Sequence, residues 1–229
     1  MKIWCISDTH NKHRYLTIPK DIDMLIFSGD SGTSRDSYTS TTVITDFIDW
    51  LESIDTIKYK VWVAGNHDVA LERGLINTTK YNSIYLEHEL KEINGLKIFG
   101  SPYTPSFGVG WAYNKHRSKL DKYWSSIPGD IDILITHGPP LGILDHTEND
   151  SMINLGNGSK NVVSCGDKSL LNHVKRVKPK LHVFGHIHDE DICKNAGMMQ
   201  ISGLDTKFVN ASVLNLSYHL VNNGFIINI

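Results

Sequence analysis

Five short apolar runs, each breaking off into polar residues able to bind a metal, constrain the fold of this 229-residue chain more than any other feature. Residues 3–6 lead into Ser7-Asp8-Thr9-His10, residues 24–27 into Ser28-Gly29-Asp30, and residues 61–64 into Gly65-Asn66-His67-Asp68. Residues 133–135 lead into Thr136-His137-Gly138, and residues 181–184 into Gly185-His186-Ile187-His188. The runs are too short for helices, and their Val, Ile, Phe and Trp content suits strands buried on both faces. Further strands are expected over 97–99, 199–201, 213–216 and 225–229.

Helical patterns lie between the runs. Residues 41–54 place Val43, Ile44, Phe47, Ile48, Trp50, Leu51 and Ile54 on one broad apolar face. Residues 118–127 form a weaker pattern and 168–177 a better one, with Asp167 as its N-cap, Lys175, Arg176 and Lys178 at its C-terminal end, and Pro179 as its stop. Strands alternating with helices predict one α/β layered domain over 1–229 with largely parallel central strands. Two long stretches, 101–115 and 138–166, read as loops, and connections of that length in a compact domain tend to line a site.

The formal charge of −2 provides no global field to draw in long nucleic acid or an anionic membrane surface. Three cysteines with no CxxC pair do not make a disulfide framework. No apolar run approaches the roughly 20 residues that span a bilayer, and the opening residues lack the pattern of a signal peptide. The expectation is a cytoplasmic protein.

In open α/β sheets, ligands gather beyond the carboxyl ends of the strands. Five separated segments would therefore deliver Asp8, His10, Asp30, Asn66, His67, His137, His186 and His188 to one rim. Any one of these motifs alone is an ordinary turn or cap; five in series, each after a strand-like run, are not. Carboxylate and amide oxygens with imidazole nitrogens, and no thiolate, suit hard to borderline divalent ions, with Mn²⁺ first and Fe²⁺ or Zn²⁺ as alternatives. Two ions at the roughly 3.5 to 4 Å of two-metal hydrolases need a bridging carboxylate, and Asp30 is the choice.

The series Asp8-x-His10, Gly29-Asp30, Gly65-Asn66-His67-Asp68, His137-Gly138 and Gly185-His186-x-His188 resembles that of the calcineurin-like metallophosphoesterases. Residues 136–142, Gly100-Ser101-Pro102 with residues 110–114, and residues 208–212 resemble the class III cyclic-nucleotide phosphodiesterase and metallophosphoesterase-domain-containing branch. The likeness runs from Lys2 to the C-terminus. It implies a four-layer αββα sandwich of two mixed β-sheets flanked by helices. By the same likeness one metal takes Asp8, His10, Asp30 and His188, the other takes Asp30, Asn66, His137 and His186, and His67 is the catalytic histidine. One departure is Ser31-Gly32, where the branch usually carries a bulkier residue and then Thr; it bears on substrate contacts, not on metal binding.

The expected activity is hydrolysis of a small phosphodiester, such as a cyclic nucleotide, by attack of a metal-bridging hydroxide. A phosphomonoesterase, phosphoprotein phosphatase or nuclease on the same site, or a non-catalytic interaction module, are the alternatives. A homo-oligomer is compatible with the sequence. Trp111 and Tyr113 are expected to pack over the core sooner than stack on a nucleobase. Asp145 and His146 are expected at a solvated surface, His182 inside a strand, and Asn210 in a turn or beside the site.

Overall fold

The computed structural model describes residues 1–149 and 161–229. In chain order its strands are β1 (Lys2–Ile6), β2 (Met24–Phe27), β3 (Tyr59–Trp62), β4 (Ile84–Tyr85), β5 (Glu89–Ile93), β6 (Leu96–Ser101), β7 (Thr104–Pro105) and β8 (Asn114–Lys115). There follow β9 (Ile133–Thr136), β10 (His146–Asn149), β11 (Asn161–Ser164), β12 (Leu181–Phe184), β13 (Gly197–Met199), β14 (Lys207–Asn210) and β15 (Phe225–Asn228). The α-helices are α1 (Ser37–Ser53), α2 (Val69–Glu72), α3 (Arg117–Trp124) and α4 (Lys168–Val177).

The five apolar runs supply central strands of two sheets. One sheet has the order β15-β1-β2-β3-β4, the other β13-β14-β12-β9-β6-β5. Strands β1 to β4 run parallel, as do β6, β9, β12 and β14, while β15, β13 and β5 close edges in antiparallel pairing. Alternation along each strand sorts residues between faces. Ile3, Cys5, Met24, Ile26 and Val61 meet Ile98, Ile133, Ile135, Leu181, Val183 and Val209 between the sheets. On the outer face of the first sheet, Trp4, Ile6, Leu25, Phe27 and Trp62 pack on Ile44, Phe47, Ile48 and Leu51 of α1. On the other side Phe99, Leu134, Phe184 and Phe208 pack on Leu120 and Trp124 of α3 and Leu170, Leu171 and Val174 of α4. The result is four layers, helix, sheet, sheet, helix. Each fully buried side chain of this size contributes about 1.5–3 kcal/mol, and a one-residue slip would turn a whole set outward.

Local chemistry explains where element bounds differ from expectation. Helix α1 starts at Ser37, earlier than expected, because the Asp36 side chain caps it by accepting from the Thr39 N–H. Helix α4 has its expected bounds, with Asp167 as cap and Lys178 left-handed before Pro179. Residues 213–216 are not a strand. Their backbone ties the two sheets together one bond at a time, Val213 N–H to the Ser7 carbonyl and Leu216 N–H to the Asp189 carbonyl, leaving Leu216 exposed. Strand β5 was not foreseen, because four of its five residues are exposed at a sheet edge and carry no buried pattern; the Asn94-Gly95 turn, both at positive φ, was its only signal. The 101–115 loop contains β7 and β8. The 138–166 loop contains β10 and β11, and its residues 150–160 lie outside those described. Among the described residues no helix is long and apolar enough to cross a membrane.

Candidate metal centre

The polar ends of β1, β2, β3, β9 and β12 converge at the carboxyl rim where the two sheets meet. Ligand atoms of Asp8, His10 and His188 form one group, those of Asp30, His137 and His186 a second, and those of His10, Asp30 and His67 a third, each within 4.8 Å of one another. Asp30 links the groups. Its Oδ2 lies 3.9 Å from His10 Nε2 and 3.4 Å from His137 Nε2. Its Oδ1 accepts from the His67 backbone N–H at 2.7 Å. Asn66 Oδ1 sits 2.9 Å from His137 Nε2.

Four imidazoles are held by backbone carbonyls, and this fixes which nitrogen faces the site. A carbonyl accepts only, so the nitrogen opposite it must carry the proton. His10 Nδ1 donates to Gly32 O, His188 Nδ1 to Asn215 O, His137 Nδ1 to Ser28 O, and His67 Nδ1 to Thr33 O. In the neutral rings each Nε2 is therefore a bare lone pair turned inward. His10 Nε2 and His188 Nε2 point at each other across 3.3 Å, and His137 Nε2 faces the oxygens of Asn66 and Asp30. Lone pairs so opposed are satisfied by a metal cation or by a proton between them. Donors bound about 2.1 Å from one ion lie about 3.0 Å apart in octahedral and about 3.4 Å apart in tetrahedral geometry. The His10–His188 and His137–Asp30 spacings, 3.3 and 3.4 Å, fall in that range, with Asn66–His137 at 2.9 Å just below its lower edge and His10–Asp30 at 3.9 Å beyond its upper one. Such second partners on ligating histidines are what metal sites use to fix the tautomer, so the residues present fit a pair of divalent ions.

Backbone geometry supports the same reading. Asp8, His10, Asp30 and His186 all adopt positive φ, at 55°, 40°, 60° and 69°. Left-handed non-glycine residues cost on the order of 1–3 kcal/mol each and persist where surrounding structure demands them. Two glycines make room beside the carboxylates. A Cβ on Gly65 would lie 2.2 Å from Asp30 Oδ1, and one on Gly185 would lie 2.1 Å from Asp8 Oδ2.

Electrostatics follow from burial and proximity. Burial would raise the Asp30 carboxyl, but His137, His67 and His10 around it hold it well below the usual carboxylate range. Burial likewise opposes ionisation of Asp8, and the hydrogen bond and charge of His188 outweigh it. For His137 burial disfavours the imidazolium, yet Asp30 and then Asp8 push it up to about 9. His186, buried beside His137, is pushed down to about 3. Asp68 shapes the floor. Its Oδ2 accepts from the N–H groups of Asp30 and Gly65, and its Oδ1 from the N–H and hydroxyl of Ser31. The Ser31 departure thus has a local use, locking the loop after β2 to the loop after β3. Burial and the Asp30 charge raise Asp68 to about 6.

This centre combines two imidazole-carboxylate clusters, one shared carboxylate and a histidine alongside, a donor set suited to phosphoester chemistry. Residues 1–190 match the calcineurin-like phosphoesterase family. The chain belongs to that family. Human metallophosphoesterase domain-containing protein 1 is 33% identical over 98% of this chain and 70% of its own length. The Caenorhabditis elegans UPF0046 protein C25E10.12 is 34% identical over 91% of this chain and 74% of its own. The crystal structure of TT1561 from Thermus thermophilus is similar in fold, with a TM-score of 0.61 at 11% identity, over 91% of this chain and 88% of that one. The four-layer architecture is thus the calcineurin-like phosphoesterase fold.

All eight candidate residues reach this rim of the phosphoesterase. Of the others, Tyr113 is in the core, its hydroxyl within hydrogen-bond distance of Tyr85 and Glu87, whereas Trp111 lines the pocket. His146 is exposed as expected. Asp145 is not: it is fully buried, with Oδ2 accepting from the N–H groups of Gly142 and Gly166. Asn210 holds the centre from behind by donating to the carbonyls of Leu144 and Ile187. Several residues were missed. Ser212 donates to Asp8 Oδ2 at 2.7 Å, and Phe107 and Tyr218 line the pocket. The four carbonyl partners have no side-chain signature at all.

Proposed function

We propose that this phosphoesterase is a dinuclear-metal phosphodiesterase for small phosphodiesters, with cyclic nucleotides among the candidate substrates. The observation that carries the reading is Asp30 Oδ2, poised between His10 on one side and His137 on the other, with His67 Nε2 3.9 Å from the same oxygen. Asp8, His10, Asp30 and His188 would hold one ion, and Asp30, Asn66, His137 and His186 the other. Mn²⁺ is the proposed ion, on an oxygen and imidazole donor set without thiolate. When bound, the ions acidify a water and neutralise charge on the phosphoryl oxygens.

The protein's own groups do the rest. His67, its Nδ1–H fixed by the Thr33 carbonyl, presents Nε2 to the site to stabilise developing charge or protonate the leaving oxygen. Charge favours a diester over a monoester. Among the described residues no lysine lines the cavity of about 330 Å³ around the centre, and the Arg117 guanidinium donates to the carbonyls of Cys165 and Gly166. A monoanionic diester would be matched by the ions alone, whereas a dianion would call on Arg117, already held by those carbonyls, as its further cation. Three cysteines leave an odd thiol under any pairing, which suits a reducing, cytoplasmic compartment.

The test is a metal-reconstituted panel of bis-p-nitrophenyl phosphate, p-nitrophenyl phosphate, and 2′,3′- and 3′,5′-cyclic nucleotides. Diester turnover should exceed monoester turnover. Dominant monoester cleavage would overturn the diester assignment, and no turnover with any ion would favour an interaction module.

A further inference from the structure

We propose that Phe107 and Trp111 form a subsite for a planar aromatic ester group of the substrate. The proposal rests on the phosphodiesterase reading and names what lies beyond the phosphate. Phe107 is 53% exposed, unusual for a ring with a core close by, and it stands over the metal centre. Its ring centroid lies 5.2 Å from that of His186 and 5.4 Å from that of Trp111. Trp111 meets the His67 ring nearly edge-on at 4.6 Å, and the Arg35 guanidinium sits 4.5 Å from the indole centroid. The two rings thus make a continuous wall from a candidate ligand to the candidate catalytic histidine.

The wall is fixed relative to the centre. The Ala112 N–H donates to the carbonyl of Asn66, and Asn114 Nδ2 donates to Thr104 Oγ1, pinning the stem where β7 pairs with β8. Its chemistry selects the occupant. The Arg35 guanidinium lies over Trp111, Arg117 is hydrogen bonded to carbonyls, and Glu190 lines the same cavity, so charges of both signs flank the rings and the π-surface itself is what singles out an occupant. A flat ring would find π-surface at offset-stacked or edge-to-face distance.

Phosphonates isolate the subsite, because a single organic group differs while the metal-binding head is constant. In the metal-loaded protein, calorimetry should show phenylphosphonate binding about tenfold more tightly than methylphosphonate. Phe107→Ala and Trp111→Ala should each reduce that ratio to below about threefold, whereas Phe107→Tyr should retain it. Val109→Ala, at the 95% exposed tip of the same loop, should also retain it. A wild-type ratio near one, a ratio unmoved by Phe107→Ala, or cyclohexylphosphonate binding as tightly as phenylphosphonate would each overturn the proposal. The readout is binding, so the two readings fail separately. A phenyl preference without diester turnover sinks the phosphodiesterase and keeps the subsite; turnover without the preference does the reverse. Failure to bind either phosphonate would overturn the subsite, and the phosphodiesterase reading would stand or fall on diester turnover.

Discussion

His182 should make this protein lose stability between pH 6.5 and pH 3. The ring lies wholly buried in β12, against Phe184 and Phe208. Its Nε2 is 2.8 Å from Thr136 Oγ1, and that hydroxyl donates to the Gly138 carbonyl at 2.7 Å. With the Thr136 proton used, His182 Nε2 must be the donor, so Nδ1 is bare, and Nδ1 has no partner among the described residues. A second proton would place a charged, unpaired N–H in the core. Burial accordingly pushes the imidazole from 6.5 down to about 3. The sign follows from linkage: the unfolded chain takes up a proton below about 6.5 that the folded chain refuses, so stability is full above that pH and falls as acid is added. At pH 5 the loss relative to pH 8 is about 2 kcal/mol, set by the unfolded value and insensitive to how far below 4 the folded group titrates. Urea unfolding of the metal-free protein at both pH values, followed by tryptophan fluorescence, measures it. His182→Gln keeps an Nε2 donor and cannot titrate, so its loss from pH 8 to pH 5 should be about 2 kcal/mol smaller than that of the wild type. His182→Leu should show the same reduced loss, whatever its absolute stability. Equal losses in wild type and both variants would refute the reasoning.

Four further outcomes are expected at the centre. Asp30→Ala should leave less than the full pair of ions after reconstitution, read by elemental analysis; full occupancy would remove the bridging role. His67→Ala should keep both ions yet lose about 10²–10⁴-fold in phosphodiester turnover, and near wild-type rates would take His67 out of the mechanism. Gly185→Ala should cost about 1–3 kcal/mol and weaken metal binding, because its Cβ would lie 2.1 Å from both Asp8 Oδ2 and Ser7 Oγ; an unchanged urea midpoint and metal content would contradict that packing. Metal affinity should rise with pH up to about 9, because a proton on His137 must leave before its Nε2 can bind an ion. Calorimetry at pH 7 in buffers of differing ionisation enthalpy should show that proton released on metal binding.

The sequence made the architecture and the ligand rim legible because both rest on side-chain type at short range. A buried parallel strand must be apolar on both faces, so β1, β2, β9 and β12 stand out, and each runs out into polar residues that the end of a core strand does not otherwise need. The illegible elements have the opposite character. Strand β5 shows Glu89, Leu90, Lys91 and Glu92 to solvent, and its pairing with β6 is a backbone property that composition does not encode. Residues 213–216 carry the apolar pattern of a strand, but their N–H groups are drawn off to Ser7, Asp189 and His219 in the connecting region.

The same division runs through the site. His10, His67, His137 and His188 were visible as residue types; what orients them was not, because Gly32, Thr33, Ser28 and Asn215 act through their carbonyls. A substitution at any of those four positions can preserve the oxygen, so the side chain carries no trace of its role. What selects the fold around such carbonyls is the small set of side chains that hold their loops in place. Asp68 is the clearest case. It takes donors from Asp30, Ser31 and Gly65 at once and lies one residue from His67, so the carboxylate that binds no ion in this assignment fixes the loops from which two ligands and the candidate acid project.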